Sequence, residues 1–242
     1  MISRWLVLIW AGAFVSHTMP ADRFIDDTID CVILLHGLTR TSRSMQQIEQ
    51  ALAAQGFHVV NVDYPSRKYT IETLASMAID QGITECPSDS KVNFVTHSLG
   101  GILVRYYFAV NAKARLGRVV MLAPPNRGSE VVDRLKAFPG FDFLNGPAGS
   151  QLGTGVDSVP LNLGPVEFEL GVIAGTASIN PILSQLLPNP DDGKVSVART
   201  KVAGMKDFVT VTHAHPFLMD APEVIELVIS FIKIGSFAPQ SD

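Results

Sequence analysis

Charge is sparse in this sequence. Only 17% of its 242 residues are charged, and 23 acidic against 19 basic side chains leave a net charge of −4. No basic run stands out, which argues against a nucleic-acid partner. The mild acidity gives no general pull toward anionic lipid. No apolar run reaches the roughly 20 residues that span a bilayer comfortably. Cysteine is nearly missing: only Cys31 and Cys86 occur. No Cys/His cluster has metal-ligand spacing and no glycine-rich phosphate loop appears, so no metal or other cofactor is expected. Internal repeats and low-complexity linkers are missing as well. What is abundant is apolar: 47% of the chain, enough to exclude disorder and to fit a sheet covered on both faces. The length suits one domain with a full-sized core.

The N-terminus differs from the rest. Arg4 precedes an apolar run from Trp5 to Val15, followed by polar Ser16, His17 and Thr18. That order is the layout of a secretory leader over residues 1–21, leaving 22–242 as the domain. Ala21 is a possible end point, with Met19 an ordinary residue three positions from the cut; an uncleaved anchor is the alternative. The chain is therefore expected to be exported, periplasmic or secreted, or tethered to a membrane by this segment. A first strand of the domain is the competing reading of the run, and the leading arginine argues against it. Export would permit one disulfide between Cys31 and Cys86 if the strands near them are neighbours; two buried free thiols are the other option.

Short β-rich runs alternate with helical stretches, which predicts an α/β fold, doubly wound around a mostly parallel sheet. Strands are expected over Cys31–Leu35, His58–Tyr64, Lys91–Thr96, Arg118–Ala123, Phe168–Gly175 and Asp207–Val211. Helices are expected over Ser42–Gln55, Ile71–Gly82, Leu99–Ala112 and Pro222–Ile234, with a short one over Pro181–Leu187. Residues 126–166 are rich in Gly, Pro and Ser. They should hold one helix, from about Ser129 to Ala137, and then loops forming a lid or pocket wall. Phe138, Phe141, Phe143 and Leu144 cluster there and are candidates for an acyl-chain pocket, with ordinary core as the plainer alternative.

Val95-Thr96-His97-Ser98-Leu99-Gly100-Gly101 lies between an expected strand and an expected helix. A tight turn there strains the serine and lifts its hydroxyl clear of the backbone. Strand and helix approach closely, so small residues are needed, and Gly100 and Gly101 supply them. Leu99 opens the helix, and its N–H points at whatever Ser98 attacks, aided by the positive end of the helix dipole.

Here the chain resembles the α/β-hydrolase family, and more narrowly the small bacterial lipases and esterases with a His-Ser-Leu-Gly-Gly elbow. The resemblance runs from about Ile29 to Ile234. Thr96 stands where the pattern usually has Gly; this bulkier residue requires that the turn open slightly or that its hydroxyl find a local partner. In the resembling family the turn after Leu34-Leu35-His36-Gly37-Leu38 supplies half of an oxyanion hole. The resemblance thus implies that the N–H groups of Leu38 and Leu99 hold the oxyanion, at about 3 kcal/mol or more per donor. His36 is expected to orient the loop.

The family order of serine, acid, histidine implies a late histidine as base. His213 and His215 both follow the last strand. His215, in His215-Pro216-Phe217-Leu218-Met219, fits best, and His213 is the reserve. The acid should follow the fifth strand, where Asp192 matches and Asp191 is the alternate; a plain surface turn is the competing reading, stronger for Asp191 than for Asp192. The resemblance therefore implies an ester hydrolase acting through an acyl-enzyme on lipid-like or medium-chain esters. Neighbouring readings are a thioesterase and a non-catalytic hydrolase-like domain that binds a lipid or partner.

Overall fold

The computed structural model describes residues 30–180 and 184–237. The expected leader lies outside the described residues, as does the start of the helix expected over Pro181–Leu187. Six strands form one sheet: β1 (Cys31–Leu35), β2 (His58–Val62), β3 (Val92–His97), β4 (Leu116–Leu122), β5 (Leu170–Gly175) and β6 (Asp207–Val211). All neighbours run parallel, in the order β2-β1-β3-β4-β5-β6. The expected α/β class and doubly wound sheet are what the chain adopts.

Every residue of β1 is buried, because helices cover both faces of the sheet. Side chains alternate across a strand. Val32 and Leu34 pack in one layer with Ile48 and Leu52 of α1 (Gln46–Ala54) and Val224, Val228 and Phe231 of α8 (Pro222–Ile234), which follows the short α7 (Val197–Thr200). Ile33 and Leu35 face the other layer, with Leu74 and Ile79 of α2 (Ile71–Glu85) and Ile102 and Leu103 of α3 (Leu99–Val110). The unbroken apolar run of β1 is thus a consequence of its central place. Among the described residues, no helix is long and apolar enough to cross a membrane.

Cys31 opens β1 opposite Val92 of β3, and Cys86 follows the last turn of α2. The two form a disulfide, with Cα atoms 5.8 Å apart. It pins the end of α2 to the start of the central strand.

The segment 126–166 departs from expectation. The expected helix is present as α4 (Glu130–Leu135), but the expected loops hold two more, α5 (Phe141–Ser150) and α6 (Val159–Asn162). Gly140 adopts a left-handed conformation (φ 88°) to start α5, and Gly146 (φ 67°) kinks it just before Pro147. The glycines and prolines that read as loop composition here punctuate short helices.

Chain order and strand order diverge at one place. From β1 the chain moves outward to β2, then returns across β1 to β3 and continues to β6 on the far side. The carboxyl ends of β1 and β3 therefore frame the switch point, where a crevice forms in open α/β sheets. His36-Gly37-Leu38 leaves one of these strands and Ser98 the other.

Candidate active site

Ser98 stands between β3 and α3 with φ 53° and ψ −116°. That region is costly for a residue with a Cβ, on the order of 1–3 kcal/mol. The surrounding frame enforces it. Its N–H donates to the Leu122 carbonyl at 2.9 Å, and its own carbonyl accepts from the Gly101 N–H at 3.1 Å. A Cβ at Gly100 would meet the Leu35 carbonyl oxygen at 2.6 Å, so only glycine lets α3 come this close to β1. Thr96 is fully buried, and its hydroxyl donates to the Val120 carbonyl at 3.4 Å, the local partner its position requires. As the first residue of α3, Leu99 has an N–H with no acceptor inside the helix.

The turn after β1 is held from several sides. The rings of His36 and Tyr64 stack at 4.1 Å. His36 Nδ1–H donates to the Gly37 carbonyl at 2.9 Å, its Nε2 accepts the Tyr64 N–H at 3.3 Å, and the Tyr64 hydroxyl donates to the His36 carbonyl at 2.5 Å. Burial lowers the pKa of His36, against opposition from the Gly37 carbonyl, Asp63 and Tyr64. Thr39 takes a left-handed backbone (φ 59°), and its N–H donates to Ser66 Oγ at 3.2 Å. These contacts set the path of Leu38 between them.

Asp192 and His215 meet after β5 and β6. His215 Nδ1–H donates to Asp192 Oδ2 at 2.7 Å, and the His215 N–H donates to the Asp192 carbonyl at 3.0 Å. Asp192 Oδ1 accepts the N–H groups of Lys194 at 3.0 Å and Val195 at 2.8 Å. Both residues are buried. The alternates are engaged elsewhere. Asp191 accepts from Ser184 Oγ at 2.6 Å and from the Gly193 N–H at 2.7 Å, closing its own turn. His213 lies 3.4 Å from Glu223 at the start of α8.

Ser98, His215 and Leu38 line one cleft of about 220 Å³. Ser98 lines this cleft, and among the described residues its hydroxyl has no hydrogen-bond partner. His97, beside Ser98, is a residue whose placement the sequence did not reveal. Its Nε2–H donates to the His215 carbonyl at 3.1 Å, and the two rings lie 4.7 Å apart. Burial, then the neighbouring His215 and Arg40 charges, hold its pKa well below the ordinary histidine range. Neutral His97 is thus a prop under the His215 backbone.

The apolar wall of the cleft differs from the one expected. Phe141 lines it, but Phe138, Phe143 and Leu144 do not: they are 65%, 85% and 58% exposed. Residues 141 and 145 share one face of the first part of α5 and turn inward, so Phe143 is left on the outside. Val131, Val132 and Leu135 of α4, together with Leu152, complete the wall. Their helical spacing was the available signal. Arg40 and Lys194 also reach the cleft, each two residues beyond a motif residue, Leu38 or Asp192. A roomier cleft of about 430 Å³ against Arg105, Arg127 and Lys201 holds none of the groups above.

A family model described as "Alpha/beta hydrolase family" matches residues 32–227, most of the chain. No curated protein matches in sequence. Solved structures of similar fold include the mature lipase BlEst2 of Bacillus licheniformis, at 16% identity and TM-score 0.64, covering 87% of this chain and 93% of that one. The metagenomic carboxyl esterase MGS0156 has 17% identity and TM-score 0.62, over 84% of this chain and 70% of that one. Phospholipase PlaB from Legionella pneumophila has 21% identity and TM-score 0.56, over 71% of this chain and 45% of that one. At such identities the likeness is one of fold.

Proposed function

Because the chain belongs to the alpha/beta hydrolase family, we propose that it is a serine hydrolase of carboxylic esters, with Ser98 as nucleophile, His215 as general base and Asp192 as its orienting acid. The observation that carries this reading is the buried Asp192–His215 hydrogen bond opening onto the same cleft as a strained, unpartnered Ser98 hydroxyl. Solved neighbours named lipase, carboxyl esterase and phospholipase agree with it at the level of fold.

The chemistry follows from these positions. Asp192 fixes the proton of His215 on Nδ1, leaving Nε2 as the basic nitrogen. Nε2 takes the Ser98 proton as Oγ attacks the ester carbonyl. The N–H groups of Leu38 and Leu99 receive the oxyanion. Imidazolium Nε2–H then protonates the leaving alcohol, and a water molecule repeats the sequence on the acyl-enzyme to release the acid. The wall of Val131, Val132, Leu135 and Phe141 suits an acyl chain of short to medium length. Export, by a cleaved leader or with a membrane-anchoring one, belongs to the same proposal, and the disulfide agrees with an oxidising compartment.

The test is hydrolysis of p-nitrophenyl esters from acetate to palmitate. Turnover with a maximum at short or medium chains, absent in Ser98→Ala, is the expected result. A folded wild type that turns over none of them, with thioesters cleaved instead, would replace the ester reading with a thioesterase one. Inertness toward both classes would make it a binding domain.

A further inference from the structure

The proposed ester cleft has an uneven electrostatic lining. Two cations, Arg40 and Lys194, border it, and no Asp or Glu does. The chain as a whole is acidic, at −4, so this local excess runs against its composition. Among the described residues neither cation has a carboxylate within ion-pairing distance, although Arg and Lys elsewhere, such as Arg199 with Glu130 and Lys206 with Glu169, are paired. Arg40 spends one N–H on the Pro216 carbonyl at 3.3 Å. Lys194 is exposed in part; the burial around it and the Arg40 charge lower its pKa, while Asp192 opposes them. An anion entering this cleft meets both positive charges and no carboxylate in its lining, which favours its binding.

Their position says which half of an ester they would meet. Arg40 hangs on the segment next to His215, through Pro216, and Lys194 sits two residues from Asp192. Both therefore flank the acid–base pair. The histidine must reach the leaving oxygen to protonate it, so the alcohol half lies on this side. The same cleft carries an apolar lining of Val131, Val132, Leu135 and Phe141, which suits the acyl half.

We propose that the preferred substrate is an ester whose alcohol half carries an anionic group, a carboxylate or a phosphate, recognised by Arg40 and Lys194; the proposal rests on the hydrolase reading above. Both cations act as binding residues close to the reacting atoms.

The test compares 3-carboxyphenyl butanoate with 3-carbamoylphenyl butanoate, which differ in charge but hardly in shape, each rate divided by the ester's hydroxide-catalysed rate. The wild type should favour the carboxylate in kcat/KM by roughly tenfold at low salt, and the preference should shrink in about 0.5 M salt. Lys194→Glu should bring the ratio to one or below. Arg40→Lys should keep most of the preference and Arg40→Gln lose it, which separates the charge from the hydrogen bond to Pro216. Moving the carboxylate to the acyl half, as monophenyl glutarate against its amide, should give no preference. The pair 1-butanoylglycerol 3-phosphate and 1-oleoylglycerol 3-phosphate, each against the phosphate-free acylglycerol, tells a soluble phosphate source from a lipid headgroup; the anion must be favoured at one chain length or both. Equal rates for all charged and neutral pairs, with turnover that still requires Ser98, would overturn the anion assignment and leave the hydrolase standing. A preference that survives Lys194→Glu unchanged would also overturn it. No turnover of any ester by the folded protein would overturn the hydrolase reading itself.

Discussion

Ser98 pays a conformational cost that its neighbours enforce, and residues around it divide by what they bond. Asp192 gives one oxygen to His215 and the other to two backbone N–H groups. Asp191, its neighbour in sequence, gives one oxygen to the Gly193 N–H of its own turn and the other to the Ser184 hydroxyl. Asp192→Asn should therefore cut kcat by about 10³–10⁴, since the amide no longer fixes the histidine proton. Asp191→Asn should leave kcat within a few fold and lower stability by about 1 kcal/mol or more through the turn bonds. Steady-state rates and thermal melts of both variants separate the two roles. In the sequence, the preference for Asp192 over Asp191 and for His215 over His213 rested on the family resemblance. Adjacent residues in a turn point in different directions, and only the backbone path says which. Ser98 was legible because the strain it bears demands particular neighbours, Gly100 and Gly101. His97 was not: a histidine that props a carbonyl leaves no pattern in one chain. Arg40 and Lys194 were equally silent as isolated basic residues.

At the scale of elements, the junction of β3 and α3 sets the site. Gly100→Ala would place its Cβ 2.6 Å from the Leu35 carbonyl oxygen and 2.9 Å from Leu35 Cβ. Neither atom belongs to a flexible tip, so α3 must move. The variant should lose about 1–3 kcal/mol of stability and at least tenfold in kcat/KM, read by denaturant melts and ester turnover. The strands were legible to within a residue or two because short runs rich in apolar and β-branched residues recur between helical stretches, unbroken in the central β1. The segment 126–166 was legible only in part: α4 lies within the helix expected from about Ser129 to Ala137, but the glycines and prolines that follow carry the composition of a loop, while Gly140 and Gly146 in fact start and kink α5. That error carried into the acyl wall, where Phe143 and Leu144 were grouped with Phe141 by nearness in sequence rather than by helical face.

For the whole molecule, two features govern stability. The Cys31–Cys86 bond closes a loop of sequence separation 55, which restricts the unfolded chain by up to about 4 kcal/mol on the chain-entropy view. Reduction, or the double variant Cys31→Ala/Cys86→Ala, should lower the melting temperature markedly while the sheet persists at low temperature. The second feature is the burial of neutral histidines. His36 and His97 both have folded pKa values below the unfolded value near 6.5. Below pH 6.5 the unfolded chain binds protons that the folded chain refuses. Their contribution is complete above that pH and is lost as pH falls toward the folded values, at a rate of up to about 1.4 kcal/mol per pH unit for each. Denaturant melts between pH 7.5 and 5 should show this slope, and His36→Asn should reduce it by about half. The switch point between β1 and β3, which gathers Leu38, Ser98 and His215 at one cleft, was implicit in the alternation of strands and helices; the strand order itself was not readable.

The central claim is that Ser98 is an activated nucleophile. The most direct measurement is labelling of the folded protein with a fluorophosphonate, followed by peptide mass spectrometry to locate the adduct. The account predicts one stoichiometric adduct on Ser98, none in Ser98→Ala, and labelling slowed by at least 10²-fold in His215→Gln. A folded wild type that stays unlabelled, or an adduct on any other residue, would contradict it.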